Sequence, residues 1–134
     1  VLDVQVVVDD LAVAEHLAED LVGAGLVRRD GRWWDSARDG AAWDKAMATN
    51  ADPTRAVNCH VRLTGSPTWR EAVLLRDWLR AHPGGVEQYA QLKHRLAEQL
   101  WDSVEDYADA KTPFVATALD RAEQWALRTG WRVA

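Results

Sequence analysis

A chain of 134 residues has the size of one domain and is long enough to bury a core without disulfide or metal staples. Its 21 acidic and 16 basic residues give a net charge of -5 and form no basic stripe, which argues against a nucleic-acid groove. The single Cys59 excludes an internal disulfide, and no apolar run reaches the ~20 residues that cross a bilayer, so a cytoplasmic protein with no nucleic-acid or membrane partner is expected.

The first ten residues lack the basic start and small-residue cleavage site of a secretory signal. They read instead as a Val-rich strand over Leu2 to Val8, apolar enough to be covered on both faces in the centre of a sheet. Since the chain starts inside this strand without an initiating Met, further structure is expected before Val1. Asp9 or Asp10 supplies a helix N-cap, and Leu11, Ala14, Leu17, Ala18 and Leu21 recur at helical spacing until Gly23 and Gly25. The Asp30-Gly31 pair within LVRRDGRWW predicts a hairpin turn, and a loop containing Gly40 follows.

Residues Trp43 to Thr49 suit another strand, and NADPTR a turn around Pro53. The clearest alternation is VNCHVRL: Val57, Cys59, Val61 and Leu63 share one face, and Asn58, His60 and Arg62 the other. After the break at Gly65 to Pro67 the pattern becomes helical over Trp69 to Ala81, Gly85 to about Trp101, and Pro113 to about Thr129. Pro83 and Gly84 separate the first two of these helices, and Pro113 suits the first turn of the last. The expected fold class is α+β: one domain over 1–134, sheet-rich in 1–64 and helical in 66–130.

Few residues carry chemistry on spacing alone. Asp3 and Gln5, two apart on a strand, face the same way, and a strand carboxylate of this kind can hold Mg²⁺ for phosphoryl or nucleotidyl transfer. One carboxylate beside a neutral amide is a weak donor set, and a simple polar role is the plainer alternative. His60 and Arg62 share a strand face and could together bind a phosphate or carboxylate, although a solvated face with a hydrogen-bonded His is the plainer alternative. Cys59 points away from His60, so the two form no nucleophile pair, and Cys59 reads as a small core residue. His16 and His94 lack a second ligand at helical spacing.

Of eight tryptophans, Trp69, Trp78, Trp101 and Trp125 fall on apolar helix faces and are expected in the core. Trp33 and Trp34 are consecutive on a strand and must face opposite sides, so one is exposed as a partner anchor or covered by a second apolar layer. In WREAVLLRDWLRAHP, Leu74, Leu75, Trp78 and Leu79 define a buried stripe, with Asp77 and Arg80 placed to pair at its margin. Neither GxxxxGK[ST] nor GxSxG occurs.

RDWLRAHP, VEQYAQLKHRLAEQL and DYADAKTPFV together resemble the signature of the GrpB family, which has a nucleotidyltransferase-like fold. The positions that match are Arg76, Asp77, Leu79, Arg80, His82, Pro83, Tyr89, Leu92, Lys93, Tyr107, Lys111 and Phe114. LDVQVVVDDL is similar to that family's strand after its Gly-Ser motif, and NCHVRL to its later His-bearing strand. WDKAMATNADPTRAVNCHVRL and WALRTGWR resemble, more narrowly, the GrpB-type domain that follows the kinase domain in actinobacterial dephospho-CoA kinases. The resemblance implies an accessory or regulatory domain of coenzyme A biosynthesis, without kinase activity, its partner an adjoining kinase domain of the same chain.

Active nucleotidyltransferases of this fold carry a Gly-Ser turn, two strand carboxylates and a third acid on a neighbouring strand. Asp3 matches the first carboxylate, Gln5 replaces the second, His60 or Arg62 stands where the third is sought, and the Gly-Ser segment would precede Val1. Mg²⁺ and a nucleotide are implied only if the ancestral site is kept, with Lys45, His60, Arg62, Arg76, Lys93 and Lys111 as candidate anion ligands. The alternative is a stand-alone nucleotide-binding protein or weak nucleotidyltransferase.

Overall fold

The alternation of Val57–Leu63 sorts Cys59 and Val61 to one side of a strand and His60 and Arg62 to the other, and this strand organises the sheet. A computed structural model describes residues 1–134. In chain order its elements are β1 (Leu2–Val8), α1 (Val13–His16), α2 (Ala18–Gly23), β2 (Leu26–Ser36), β3 (Ala42–Asn50), β4 (Val57–Leu63), α3 (Pro67–Ala81), α4 (Pro83–Ala97), α5 (Val104–Asp109) and α6 (Thr112–Thr129). The chain forms two compact units, Val1–Arg70 and Glu71–Ala134, with the boundary inside α3.

In the first unit the sheet order is β1-β4-β3-β2, with β1 parallel to β4 and the other neighbours antiparallel. The registers place Gln5 beside His60, His60 opposite Met47, and Lys45 opposite Trp33. Asp10 accepts a hydrogen bond from the Ala12 amide at 2.9 Å in the turn that leads into α1. The N-cap position itself is Ala12 and carries no side-chain cap, so the expected Asp cap lies two residues ahead of it. The helical segment lays Ala14, Leu17 and Leu21 against Val6, Val8, Leu26, Ala46, Ala48, Cys59 and Val61, forming the apolar core of this unit.

Three further expectations for this half need correction. β1 is an edge strand rather than a central one, and Leu2, Val4 and Val7 are exposed, because a Val-rich run reports strand preference and not the number of neighbours. The single helix over Leu11 to Leu21 is broken at Leu17, although the spacing of the buried Ala14 and Leu21 is kept. Asp30 and Gly31 lie inside β2, where the register shifts between Arg29 and Trp33. Gly31 has φ +98°, and the conformation that suits Asp-Gly to a turn suits it equally to a bulge. The chain reverses instead over Ala37–Ala41, where the Gly40 amide donates to the Ala37 carbonyl at 2.8 Å.

The helical unit is built on small residues facing large ones. Ala118, Ala122 and Ala126 form a stripe on α6 that packs in one cluster with Leu74 and Trp78 of α3, joined by Phe114, Trp125 and Trp131. Pro83 is the first residue of α4 rather than a separator, consistent with its preset φ and missing N–H. α4 ends at Ala97, short of the expected Trp101, and the Trp101 indole instead donates to the Leu96 carbonyl at 2.7 Å. The intervening α5, which periodicity alone did not predict, starts at a Ser103 cap: the Asp106 amide donates to Ser103 Oγ at 3.1 Å, and that hydroxyl donates back to Asp106.

Two adjacent glycines in α4 separate propensity from packing. A Cβ on Gly84 would meet nothing within 4 Å, whereas one on Gly85 would sit 3.0 Å and 3.1 Å from ring carbons of the buried Trp78. Gly84→Ala is expected to stabilise the protein by about 0.5 kcal/mol. Gly85→Ala is expected to destabilise it by about 1–3 kcal/mol, because an indole ring cannot yield as a flexible chain end does. Urea denaturation of both variants measures the difference, which should exceed anything helix propensity alone allows.

Candidate functional site

The face of the sheet opposite the apolar core carries a connected row of polar groups contributed by all four strands. Gln5 comes from β1, His60 and Arg62 from β4, Lys45 from β3 and Asp35 from β2. Lys45 Nζ donates to Asp35 Oδ1 at 2.5 Å, and Arg62 Nε donates to Asp35 Oδ2 at 2.8 Å. The same guanidinium donates through Nη1 to Gln5 Oε1 at 2.6 Å. Both oxygens of the Asp35 carboxylate are therefore held by cations.

His60 stands between these groups. Lys45 Nζ lies 3.1 Å and Arg62 Nη2 3.5 Å from its Nδ1. Both cations can only donate, so Nδ1 accepts and the ring proton is assigned to Nε2. Nε2 points toward Asp3 Oδ1, 3.7 Å away, and Asn58 Nδ2 donates to the same Asp3 oxygen at 3.2 Å. The sheet face thus reads, in contact order, Asp3, His60, then Lys45 and Arg62 together, then Asp35.

Its electrostatics follow from the count. Two cations, Lys45 and Arg62, face the one carboxylate of Asp35, and the second carboxylate of the row, Asp3, balances the charge from the solvent rim with a side chain 69% exposed. Burial is the largest single influence on Asp35 and pushes its acidity down, but hydrogen bonds from Arg62 and Lys45 and their charges outweigh it. The carboxyl is held below its ordinary value. On the other face, burial raises the Cys59 thiol above its ordinary value, as suits a core residue rather than a nucleophile.

Of the residues singled out from sequence, Lys45, His60 and Arg62 are brought together and Asp3 adjoins them. Arg76, Lys93 and Lys111 belong to the helical unit, and each has a local partner there. Arg76 Nε donates to Asp77 at 2.8 Å, while Lys93 lies over Tyr89 and Lys111 over Tyr107, each 4.6 Å from the ring centroid. Asp77 also accepts from the Trp131 indole at 3.0 Å, with Arg80 3.9 Å away. Trp34 is the exposed member of its pair, with Arg32 5.9 Å from its ring, and Trp33 is half-buried, its indole donating to the Asp30 carbonyl.

Asp35 escaped the sequence reading, although it is the carboxylate on which the row closes. Reading a turn at Asp30-Gly31 placed it in a hairpin arm of undefined facing, whereas the bulge puts Trp33 and Asp35 on the side of Lys45. Trp43, opposite Asp35 in the β2–β3 register, has an indole N–H that is shielded from solvent and unpaired.

A family model described as "GrpB protein" matches residues 1–121. The chain is similar to the dephospho-CoA kinase of Mycobacterium leprae (strain TN), 33% identical over 99% of this chain and 36% of the relative. A similar match is the dephospho-CoA kinase of Mycobacterium tuberculosis (strain ATCC 25618 / H37Rv), 35% identical over 98% of this chain and again 36% of the relative. The chain therefore spans little more than a third of these relatives. A UPF0157 protein of Halalkalibacterium halodurans is 31% identical over 91% of this chain and 58% of its own length. Among solved structures, the conserved protein GrpB from Enterococcus faecalis shares the fold, with a TM-score of 0.62 at 19% identity over 92% of this chain and 70% of that one.

The Asp35 contacts set an expectation for acid stability. Asp35, Asp77 and Asp52 all have folded values below the ordinary carboxyl range. Each lends stability that is present above about pH 4 and is lost as the pH falls through its folded value. Asp35→Asn leaves Lys45 and Arg62 facing a neutral amide, and is expected to cost about 2–4 kcal/mol, less than a fully buried break because the site is partly solvated. Urea unfolding at pH 7 measures that loss. Repeating it between pH 5 and pH 2 should show a shallower acid decline in the variant, with Asp77 and Asp52 supplying the remainder.

Proposed function

This chain belongs to the GrpB family, and we propose that it is the accessory, non-kinase part of a dephospho-CoA kinase, carried in the same polypeptide as the kinase domain of coenzyme A biosynthesis. The observation that carries this reading is the match to kinase relatives along 98–99% of the chain, while the chain accounts for only 36% of their length. The sequence contains no GxxxxGK[ST] loop to cradle the phosphates of ATP, so phosphoryl transfer in this reading belongs to the remainder of the parent chain.

The chemistry of the sheet face supports an accessory role over nucleotidyl transfer. A divalent cation between strand acids needs oxygen donors that are free to coordinate. The Gln5 oxygen accepts from Arg62, and both Asp35 oxygens accept from Lys45 and Arg62. A guanidinium therefore occupies the position in the charge pattern that an ion would take. In this reading Asp3 serves at the rim as a polar group that accepts a hydrogen bond from Asn58, with His60 Nε2 3.7 Å away.

A second reading, a nucleotide-binding protein in its own right, is favoured by the two cations, Lys45 and Arg62, gathered beside the ring of His60. The two readings separate on two measurements. The full-length kinase is expected to give a higher soluble yield and melting temperature than the same enzyme lacking this segment, and equal yield, stability and turnover would overturn the accessory reading. Asp3→Asn in this chain is expected to leave calorimetric titration with Mg²⁺ and ATP unchanged. A large loss of nucleotide affinity in that variant would instead establish the second reading.

A further inference from the structure

The helical unit holds a groove of about 580 Å³ that neither the sheet-face row nor the family relationship explains. Its floor includes the buried Trp78, its near wall His82 and Gln88, and its far wall Arg121, Gln124 and Arg128. The last three lie on α6 at i, i+3 and i+7 and so form one stripe along the helix. No Asp or Glu lines the groove, in a chain that has five more acids than bases.

The arginines differ from the other cations considered above. Arg62 and Lys45 are held by Asp35, Arg76 and Arg80 by Asp77, and Lys93 and Lys111 by aromatic rings. No ion pair or hydrogen bond engages the side chain of Arg121 or Arg128. Two planar guanidinium forks without carboxylate partners, on one side of a concave surface, suit bidentate binding of phosphate oxygens. Seven residues of helix separate their Cα atoms by roughly 10 Å, so a ligand that engages both forks fully carries more than one phosphate group.

His82 adds a directional contact. Its Nδ1 is 2.7 Å from the Trp78 carbonyl, which can only accept, so Nδ1 carries the proton and Nε2 is left unpartnered. The ring is fixed there by stacking on Trp78, with centroids 4.9 Å apart, and by an edge contact to Trp125 at 6.0 Å. A rigid acceptor and two amides beside two forks match a small molecule that presents hydroxyl or amine donors next to a diphosphate.

We propose that this groove binds a small diphosphate-bearing ligand, with Arg121 and Arg128 gripping the phosphates and His82, Gln88 and Gln124 reading an adjacent polar group. The site is independent of the accessory reading, since none of its residues belongs to the sheet face.

Calorimetric titration of the whole chain with inorganic pyrophosphate, ADP and orthophosphate tests it. Pyrophosphate and ADP are expected to bind, and orthophosphate about tenfold more weakly, because it satisfies only one fork. Arg121→Gln and Arg128→Gln are each expected to weaken pyrophosphate about tenfold, and His82→Ala to weaken ADP more than pyrophosphate. Arg95→Gln, an exposed charge change outside the groove, should leave all three affinities unchanged. The arginines are exposed, so the variants should keep the parent melting temperature. Absence of binding, binding indifferent to both arginine changes, or an equal loss in Arg95→Gln would overturn the proposal.

Discussion

Strand β4 lies between two neighbours, parallel to β1 on one side and antiparallel to β3 on the other, and its period of two imposes a single sorting rule on the sheet. Because Cys59 and Val61 point to the core, every residue level with His60 and Arg62 must lie on the polar side. Gln5 is fixed there by the β1 register, and Lys45 and Asp35 reach the same side from β3 and β2. A slip of one residue in any pairing would carry an apolar Val outward and a charge inward at once. The apolar packing of Ala14, Leu21 and Ala48 against β4 therefore also holds the polar row in register.

Within that row the partition of charge decides what the site can be. A carboxylate flanked by two cations is electrostatically satisfied and geometrically tied, and its oxygens are directed at nitrogen rather than at solvent. The amide of Gln5 completes the set as a neutral acceptor for the remaining guanidinium face. Such a network rigidifies a sheet face by cross-linking its outer strand β2 to its opposite strand β1 through Arg62. Its charges are arranged to hold one another, a design that favours persistence of shape.

Much of this could be read before any coordinates. The β4 alternation, the Leu74 and Trp78 stripe, the Pro113 start of the last helix and the pairing of Arg80 with Asp77 all arise from local spacing, and local spacing is what sequence displays. The shared facing of His60 and Arg62 arises the same way, whereas Lys45 entered only through the family resemblance. Asp35 was reached by neither, because its facing depends on how many residues the bulge at Gly31 inserts, a quantity set by pairing with β3. The edge position of β1 is likewise a property of neighbours, and the break at Leu17 a compromise between two short helices and the sheet beneath them. Family resemblance supplied the architecture, yet it pointed to Arg76, Lys93 and Lys111 as ligands without showing that each has its own partner nearby.

The bulge has a further effect at the margin of the sheet. An edge strand exposes a row of unpaired amides and carbonyls and invites foreign strands to add to it. β2 answers with Gly31, a local twist, and Arg28, Arg29, Asp30 and Arg32 crowded around the irregularity, so an incoming strand would meet both a broken ladder and unmatched charge. β1, at the other margin, is short, regular and rich in Val, with Leu2, Val4 and Val7 exposed. The two margins of the sheet therefore differ in kind: β2 is interrupted and charged, which disfavours strand addition, whereas β1 keeps a regular, apolar ladder.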